Sequence, residues 1–268
     1  MRGAAALSAQ GIYKYLDAGS GFRVEVRGRV GSTNDLVARR AREGEPEGLV
    51  MAADSQSAGR GRQGRPFYSP EGAGAYFSVL LRPGTGIQRP QLITAAAAAA
   101  VAETLAEERA GADIGIKWVN DVLCNGKKVC GILAEGSPDA GGGRLAHVVL
   151  GIGINVAAPP GGYPDWIGGA AGALFEGDDC PGDMRNILVA GVLNRFAAYY
   201  ADLDGRGYLR AYRGMSAVIG REIAVTAGSG TRRALAVGID DECRLSVRYP
   251  NGETEALSAG RITIERAV

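Results

Sequence analysis

The chain holds a single histidine, His147, among 268 residues, and its four cysteines (Cys124, Cys130, Cys180 and Cys243) include no C-x-x-C pair. These scarcities leave no Cys/His spacing for a zinc site. Unpaired cysteines in such small number read as reduced thiols of a cytosolic protein. Charge of one sign is also lacking: the formal net charge is +1. No global field therefore draws the chain to nucleic acid or to a membrane, and any basic site must be local. The N-terminus has no basic region followed by an apolar run and a cleavage site, so no signal peptide is expected. The apolar stretch from Leu92 to Ala102 is too short to span a bilayer, and it runs into Glu103, Glu107 and Glu108. Apolar and charged shares of 46% and 22% are ordinary, and the length suits one large domain, or one domain with a small appendage. Glycine is in excess: its 42 residues are roughly double the usual share of about 7%. There is no collagen-like repeat, so the excess belongs in turns and loops.

Along the chain, Leu7 to Leu16 predicts a short helix. Phe22 to Val30 alternates and predicts a half-buried strand. Ser32-Thr33-Asn34 offers capping side chains for a helix through Leu36, Val37 and Arg40, which Gly44 and Pro46 end. Leu49 to Asp54 and Ala75 to Arg82 predict strands. Pro90 suits the first position of a long alanine-rich helix that stops at Gly111. Ile114 to Val119 and Asp121 to Cys124 predict a strand pair. Asn125-Gly126 marks a hairpin turn into the strand Val129 to Ala134. Arg144 to Val156 predicts another strand, with Gly141 to Gly143 as the hairpin loop before it. The Gly-, Pro- and Asp-rich stretch from Pro159 to Pro181 reads as loop. Asp183 to Asp202 and Tyr208 to Arg213 predict helices. From about Ser216 the texture changes to short strands, near Ile223–Thr226, Arg233–Ile239, Cys243–Tyr249 and Thr254–Leu257. That pattern predicts a small all-β barrel of roughly 50 residues attached to an α+β domain.

Two places carry chemistry. The first is Gly59-Arg60-Gly61-Arg62-Gln63-Gly64-Arg65. Its glycines let the backbone approach a ligand, and its arginines supply permanent, forked donors for carboxylate or phosphate. It is not a Walker loop, since no Gly-Lys-Ser/Thr follows. A solvated loop or an RG-type nucleic-acid patch has the same composition. The position between two strands argues for an ordered active-site loop. The second is the pair of clusters Lys117-Trp118-Val119-Asn120-Asp121 and Lys127-Lys128-Val129-Cys130-Gly131. Across the Asn125-Gly126 hairpin, one carboxylate and one ammonium can approach a common site. Asp121 suits a Mg²⁺ that bridges phosphate oxygens, and Lys128 suits charge on a transferring phosphate. Taken singly, lysines beside a hairpin turn are usually solvated, and Trp118 reads more readily as core.

In order along the chain, Gly31-Ser32-Thr33-Asn34, Gln56 to Arg65, Ser69-Pro70 with the AYFSVLLRP strand, Lys117 to Asp121, Lys128 to Leu133, and Gly151-Ile152-Gly153-Ile154-Asn155-Val156 together resemble the biotin protein ligase family. The resemblance is close over residues 22–157 and diffuse beyond. It implies an α+β fold with a mixed or antiparallel sheet (residues 1–214) and a small SH3-like C-terminal β-barrel (215–268). It implies a ligase that makes biotinyl-5′-AMP from biotin and ATP and passes biotin to a lysine of a biotin carboxyl carrier protein. Ser32, Thr33, Asn34 and Gln56 would meet the ureido ring, whose donors and acceptor need a mixed lining. Gly59, Arg60, Gly61 and Arg62 would close over biotin and the adenylate. Lys128 would contact the biotin carboxylate and α-phosphate, with Gly131 letting backbone reach the biotin tail. Arg65, Lys117, Trp118, Asn120, Asp121 and Asn155 would serve the nucleotide, with Asp121 near Mg²⁺.

The chain departs from the family pattern at Val119, in place of a proline, at Cys130, in place of a small residue, and at Arg261, in place of an acidic residue. The last puts any contact from the barrel to the nucleotide in doubt. The family's repressors carry an N-terminal winged helix-turn-helix, and about 21 residues before the first matched strand are too few for it. A monofunctional type without DNA binding or membrane attachment is expected, and a homodimer is left open. Trp166 suits either stacking on adenine or, preferably, anchoring a loop. The rival readings are a lipoate-type ligase, which the Gly-Arg-Gly-Arg loop and the Ser-Thr-Asn start disfavour, and a biotin-binding module without transfer activity. A remote third is an RG-type RNA binder, which the near-neutral charge disfavours.

Overall fold

The computed structural model describes residues 6–83, 90–139, 141, 145–176, 179–227, 230–258 and 260–264. Seven strands form the larger sheet: β1 (Arg23–Val30), β2 (Leu49–Gln56), β3 (Gly74–Leu81), β4 (Ile114–Lys117), β5 (Asp121–Cys124), β6 (Lys127–Pro138) and β7 (Leu145–Asn155). Their order is β1-β2-β3-β7-β6-β5-β4. Only β1 and β2 run parallel, so their connection needs a crossover, and helix α2 (Thr33–Arg42) provides it. The remaining pairs are antiparallel, which makes the sheet mixed, as expected.

The sheet has two unequal faces. Strand alternation sends Phe77, Val79 and Leu81 of β3 into the main core, while Leu80 joins Val37, Ala41, Leu49, Met51 and Val149 under α2. Helix α3 (Pro90–Glu108) covers the main-core face together with α1 (Ala9–Tyr13), α4 (Met184–Ala201) and α5 (Tyr208–Gly214). Helix α3 is apolar all round and buried from Leu92 to Ala102, as a helix enclosed by other elements must be. Its alanines let it lie close to both the sheet and α4.

On β7, Ile152 and Ile154 enter the main core, so the alternate residues Gly151 and Gly153 face the α2 side. Gly131 pairs with Gly153 across the β6–β7 ladder. Three glycines thus leave a bare patch of sheet beside the start of α2. The turn at Asn125-Gly126 has φ of 50° and 76°, the doubly left-handed conformation that Asn-Gly favours. It swings β6 back onto β5 and pairs Leu123 with Lys128.

The second sheet contains β8 (Glu222–Ala227), β9 (Gly230–Ile239), β10 (Leu245–Arg248), β11 (Thr254–Leu257) and β12 (Arg261–Ile264), all antiparallel, in the order β11-β10-β9-β8-β12. Four of these strands were expected from the sequence, and β12 was not. The segment leading into this sheet runs beside β4, where Ala217 N–H donates to Ile116 O at 2.8 Å, and Trp118, just after β4, donates through Nε1 to Cys243 O between β9 and β10 at 2.9 Å. Among the described residues no helix is long and apolar enough to cross a membrane.

Two expectations need correction. Ser32 sits at the N-cap of α2 in an extended conformation, but its side chain makes no capping hydrogen bond. The stretch between Pro159 and Pro181 is not featureless loop. It contains a 3₁₀ turn at Gly168–Ala170 and bridges to Lys128 and Ala157. The expected hairpin loop at Gly141 to Gly143 lies largely outside the described residues.

Candidate active site

The bare glycine patch floors a cavity of about 520 Å³, whose wall takes residues from both sheets and from the arginine-bearing loop. The loop is ordered by its own backbone. Ser57 and Ala58 N–H donate to Val30 O and Gly31 O, which tie the loop to the end of β1. Gly61 N–H then donates to Arg65 O at 2.7 Å, and Phe67 N–H to Gly59 O at 2.8 Å, so the chain doubles back on itself. Arg62 to Gly64 makes one 3₁₀ turn at the tip. Phe67 returns over the glycine floor. A Cβ at Gly131 would lie 3.0 Å from Phe67 Cε2, and one at Gly153 would lie 2.5 Å from Phe67 Cε1. A side chain at Gly153 would force the Phe67 ring to shift, and one at Gly131 would press on it tightly.

One end of the cavity is polar and nearly neutral. Thr33 N–H and Oγ1 both donate to Gln56 Oε1, at 2.9 and 3.1 Å. Ser78 Oγ lies 2.7 Å from Thr33 Oγ1 and 2.5 Å from Asn34 Oδ1. Gln56 Nε2 donates to Ser69 Oγ, and Asn34 Nδ2 donates to Glu135 Oε2 at 2.7 Å. Ser32, Thr33 and Asn34 are all buried. The result is a preset group of amide and hydroxyl dipoles with both donors and acceptors.

The other end is cationic. Lys128 Nζ lies 2.6 Å from Asp121 Oδ1 across the hairpin. Arg62 NH1 donates to Asn120 Oδ1 at 3.0 Å, which attaches the loop tip to the segment between β4 and β5. Asn120 Nδ2 in turn donates to Ile132 O. Arg60 lies nearer the polar end, where it reaches Asp35 at 2.8 Å and Glu135, the partner of Asn34, at 3.0 Å. Among the described residues the wall carries Arg60, Arg62, Arg65, Lys117 and Lys128 against the single carboxylate of Asp121. Such an excess is a receptor for an anion.

Of the residues expected from the sequence, Ser32, Thr33, Asn34, Gln56, Arg60, Gly61, Arg62, Arg65, Lys117, Trp118, Asn120, Asp121, Lys128 and Gly131 all line this cavity. Gly59 and Asn155 do not. Gly59 lets the chain pass close under Phe67, since a Cβ there would collide with Phe67 O. Asn155 is buried behind the wall, and its Nδ2 donates to Gly172 O, while Gly172 N–H donates to Lys128 O. It supports the Lys128 backbone from the rear. Trp166 neither stacks in the cavity nor anchors its segment: it is 60% exposed and absent from the wall. The Trp118–Val119 peptide, where the family pattern has proline, is cis. Burial pushes the Cys130 thiol well above its ordinary range, so it stays protonated beside Lys128 and is no nucleophile.

The structure adds residues that the sequence reading missed. Phe67, Gly151 and Gly153 shape the floor, and Gly260, Ile262, Thr263 and Ile264 bring the small sheet to the wall. The side chain of Arg261 is outside the described set. Ser78 and Glu135 lie one step back from the wall and hold residues that form it. The Gly-Ile-Gly-Ile alternation at 151–154 was a usable signal, because one face of it must be bare. Nothing in the local sequence marked β12.

No group of three or more His, Cys, Asp or Glu suited to a metal occurs among the described residues. Magnesium typically binds through one or two carboxylates plus substrate phosphates. The single wall carboxylate, Asp121, fits an ion carried in by a nucleotide rather than one held by the protein alone.

Comparison with known proteins agrees with this geometry. The biotin/lipoate A/B protein ligase family model matches residues 27–155, and the biotin protein ligase C-terminal domain model matches residues 218–264. The chain is 34% identical over 253 residues to the bifunctional ligase/repressor BirA of Bacillus subtilis, covering 89% of this chain and 75% of that protein. It is 36% identical over 256 residues to the biotin–[acetyl-CoA-carboxylase] ligase of Mycobacterium tuberculosis, covering 92% of this chain and 91% of that one. Among solved structures, biotin protein ligase from Aquifex aeolicus in complex with biotin and ATP matches with a TM-score of 0.73 and 26% identity, over 91% of this chain and 99% of that chain. By sequence along most of its length, and by fold, this chain belongs to the biotin protein ligase family.

Proposed function

We propose that this protein condenses biotin with ATP to biotinyl-5′-AMP and pyrophosphate, then transfers the biotinyl group to a lysine of a biotin carboxyl carrier protein. The observation that carries the reading is the polarity of one cavity. A largely neutral donor–acceptor cluster at one end suits a ureido ring, and Arg62, Arg65, Lys117 and Lys128, with Asp121 the one wall carboxylate among the described residues, suit a carboxylate and phosphates.

The ligand's carboxylate is ionised at neutral pH, so no base is needed to make it a nucleophile. Its oxygen attacks the α-phosphorus, the bond from that phosphorus to the bridging oxygen breaks, and pyrophosphate leaves. Catalysis then consists of alignment and charge stabilisation. Thr33, Asn34 and Gln56 orient the ureido end. Lys128, which Asp121 holds at 2.6 Å, faces the carboxylate and α-phosphate. Arg60 and Arg62 close the loop over the mixed anhydride and keep water from it. Lys117, Arg65, Trp118 and Asn120 bound the nucleotide side. Magnesium, when bound, would take Asp121 as its protein ligand and neutralise charge on the leaving phosphates. In the second step a carrier lysine amine attacks the acyl carbon, the acyl–oxygen bond to AMP breaks, and the amine loses a proton to solvent. ATP dependence and free thiols support a cytoplasmic site of action.

The test is to incubate the protein with ATP, biotin and a carrier domain and to locate biotin on the carrier lysine by mass spectrometry. Calorimetric titration with biotin and with lipoate separates the two ligand classes. Tighter binding of lipoate than of biotin would contradict the reading.

A further inference from the structure

The polar end of the cavity is joined to the overlying loop and the segment that follows it at two points. At one, Gln56 Nε2 donates to Ser69 Oγ, just beyond the loop. At the other, Arg60 NH2 donates to Glu135 Oε2. Glu135 is not itself a wall residue. It sits on β6 four positions after Gly131, on the same strand face.

The same Glu135 oxygen also accepts from Asn34 Nδ2. Asn34 has little freedom otherwise: Ser78 Oγ is at its Oδ1, and its carboxamide lies so close over Gly151 that a Cβ there would collide with it. An amide's two ends are distinguished only by their partners. Glu135 is the acceptor that directs the N–H₂ end away from Ser78. An exposed arginine–carboxylate pair alone is worth little. This carboxylate, about 40% exposed, is shared between a buried amide of the polar cluster and a cation of the loop.

We propose that Glu135 is a positioning residue for adenylation: it sets the orientation of the Asn34 carboxamide and holds Arg60, with its loop, against the cavity wall. The inference rests on the biotin-ligase reading of this cavity. Asp35 also pairs with Arg60, so the amide half of the role depends on Glu135 more than the loop half does.

The experiment compares wild type, Glu135→Ala and Glu135→Gln in three readouts: pyrophosphate release against biotin concentration, escape of preformed biotinyl-AMP into a trap, and melting temperature. In E135A the biotin KM rises about tenfold with a smaller fall in kcat, as expected when the buried Asn34 amide loses its acceptor. Adenylate escape rises by a lesser factor, about threefold, because Asp35 remains. In E135Q the amide oxygen still accepts from Asn34, so KM returns to within about twofold of wild type. Escape stays fast, because the charge is gone. Unchanged KM in E135A, or no recovery of KM in E135Q, overturns the proposal. So does a parallel loss of kcat, KM and melting temperature in both variants, which would mark a structural role alone. If the wild type releases no pyrophosphate with biotin, the functional reading itself fails. If it does and E135A behaves identically, only this proposal fails.

Discussion

Replacing Gly153 by alanine tests how tightly the cavity floor is fitted. The added Cβ would lie 2.5 Å from Phe67 Cε1 and 2.7 Å from Cζ. The strand cannot retreat, because Gly153 pairs with Tyr76 of β3 on one side and Gly131 of β6 on the other. The ring of Phe67 must therefore move, and the open side available to it is the cavity. Forcing a methyl into a fitted site costs about 1–3 kcal/mol, which corresponds to roughly 5- to 150-fold in affinity. Most of that loss should appear in biotin binding rather than in folding, because the displaced ring enters ligand space and not the main core. Calorimetry with biotin and a thermal melt on the same sample separate the two. The double variant Gly153→Ala, Phe67→Ala should bind no worse than Phe67→Ala alone, since the clash has gone. Wild-type affinity in G153A, or additive losses in the double variant, would refute the contact.

Lys128→Ala should slow adenylate formation by about 10²- to 10³-fold, the usual loss for a preset electrostatic donor. Single-turnover formation of biotinyl-AMP reads this directly, and near-normal turnover would remove Lys128 from the catalytic group. Arg62→Gly removes the attachment to Asn120 and should let adenylate escape to biotinylate unrelated proteins. A retained adenylate with unchanged specificity would contradict loop closure by Arg62. His147 is held below its ordinary value of 6.5, first by burial and then by the Arg82 and Arg42 charges. The unfolded chain therefore binds more protons just below pH 6.5, and folding stability should rise with pH across that window. Urea unfolding at a series of pH values should show that part of the slope vanish in His147→Gln, and an identical slope in both proteins would refute it.

Much of the site was legible because each motif answers a local physical demand. Asn125-Gly126 admits few backbones, so the hairpin that brings Lys128 to Asp121 followed from two residues. Gly59 to Arg65 lacked any period, sat between strands, and proved an ordered loop. The misses have equally specific causes. Ser32 looked like a helix cap, but the same dipeptide serves the cavity, and Thr33 turns to Gln56 instead. Asn155 is expected at the nucleotide from the family resemblance alone, and its bond to Gly172 O is a long-range fact that the sequence does not announce. Strand β12 is four residues long with no turn marker of its own, and its pairing with β8 is a long-range fact. Glu135 and Ser78 act through other side chains, and a single sequence carries no local sign of that.

Adenylation requires that the ureido-type cluster and the cations converge upon one ligand. Mixing the protein with biotin and ATP in the absence of any carrier, and assaying for enzyme-bound biotinyl-5′-AMP with one equivalent of pyrophosphate, tests it. A stoichiometric burst that depends on biotin is the predicted result. Pyrophosphate release that ignores biotin, or biotin binding with no adenylate formed, would contradict it.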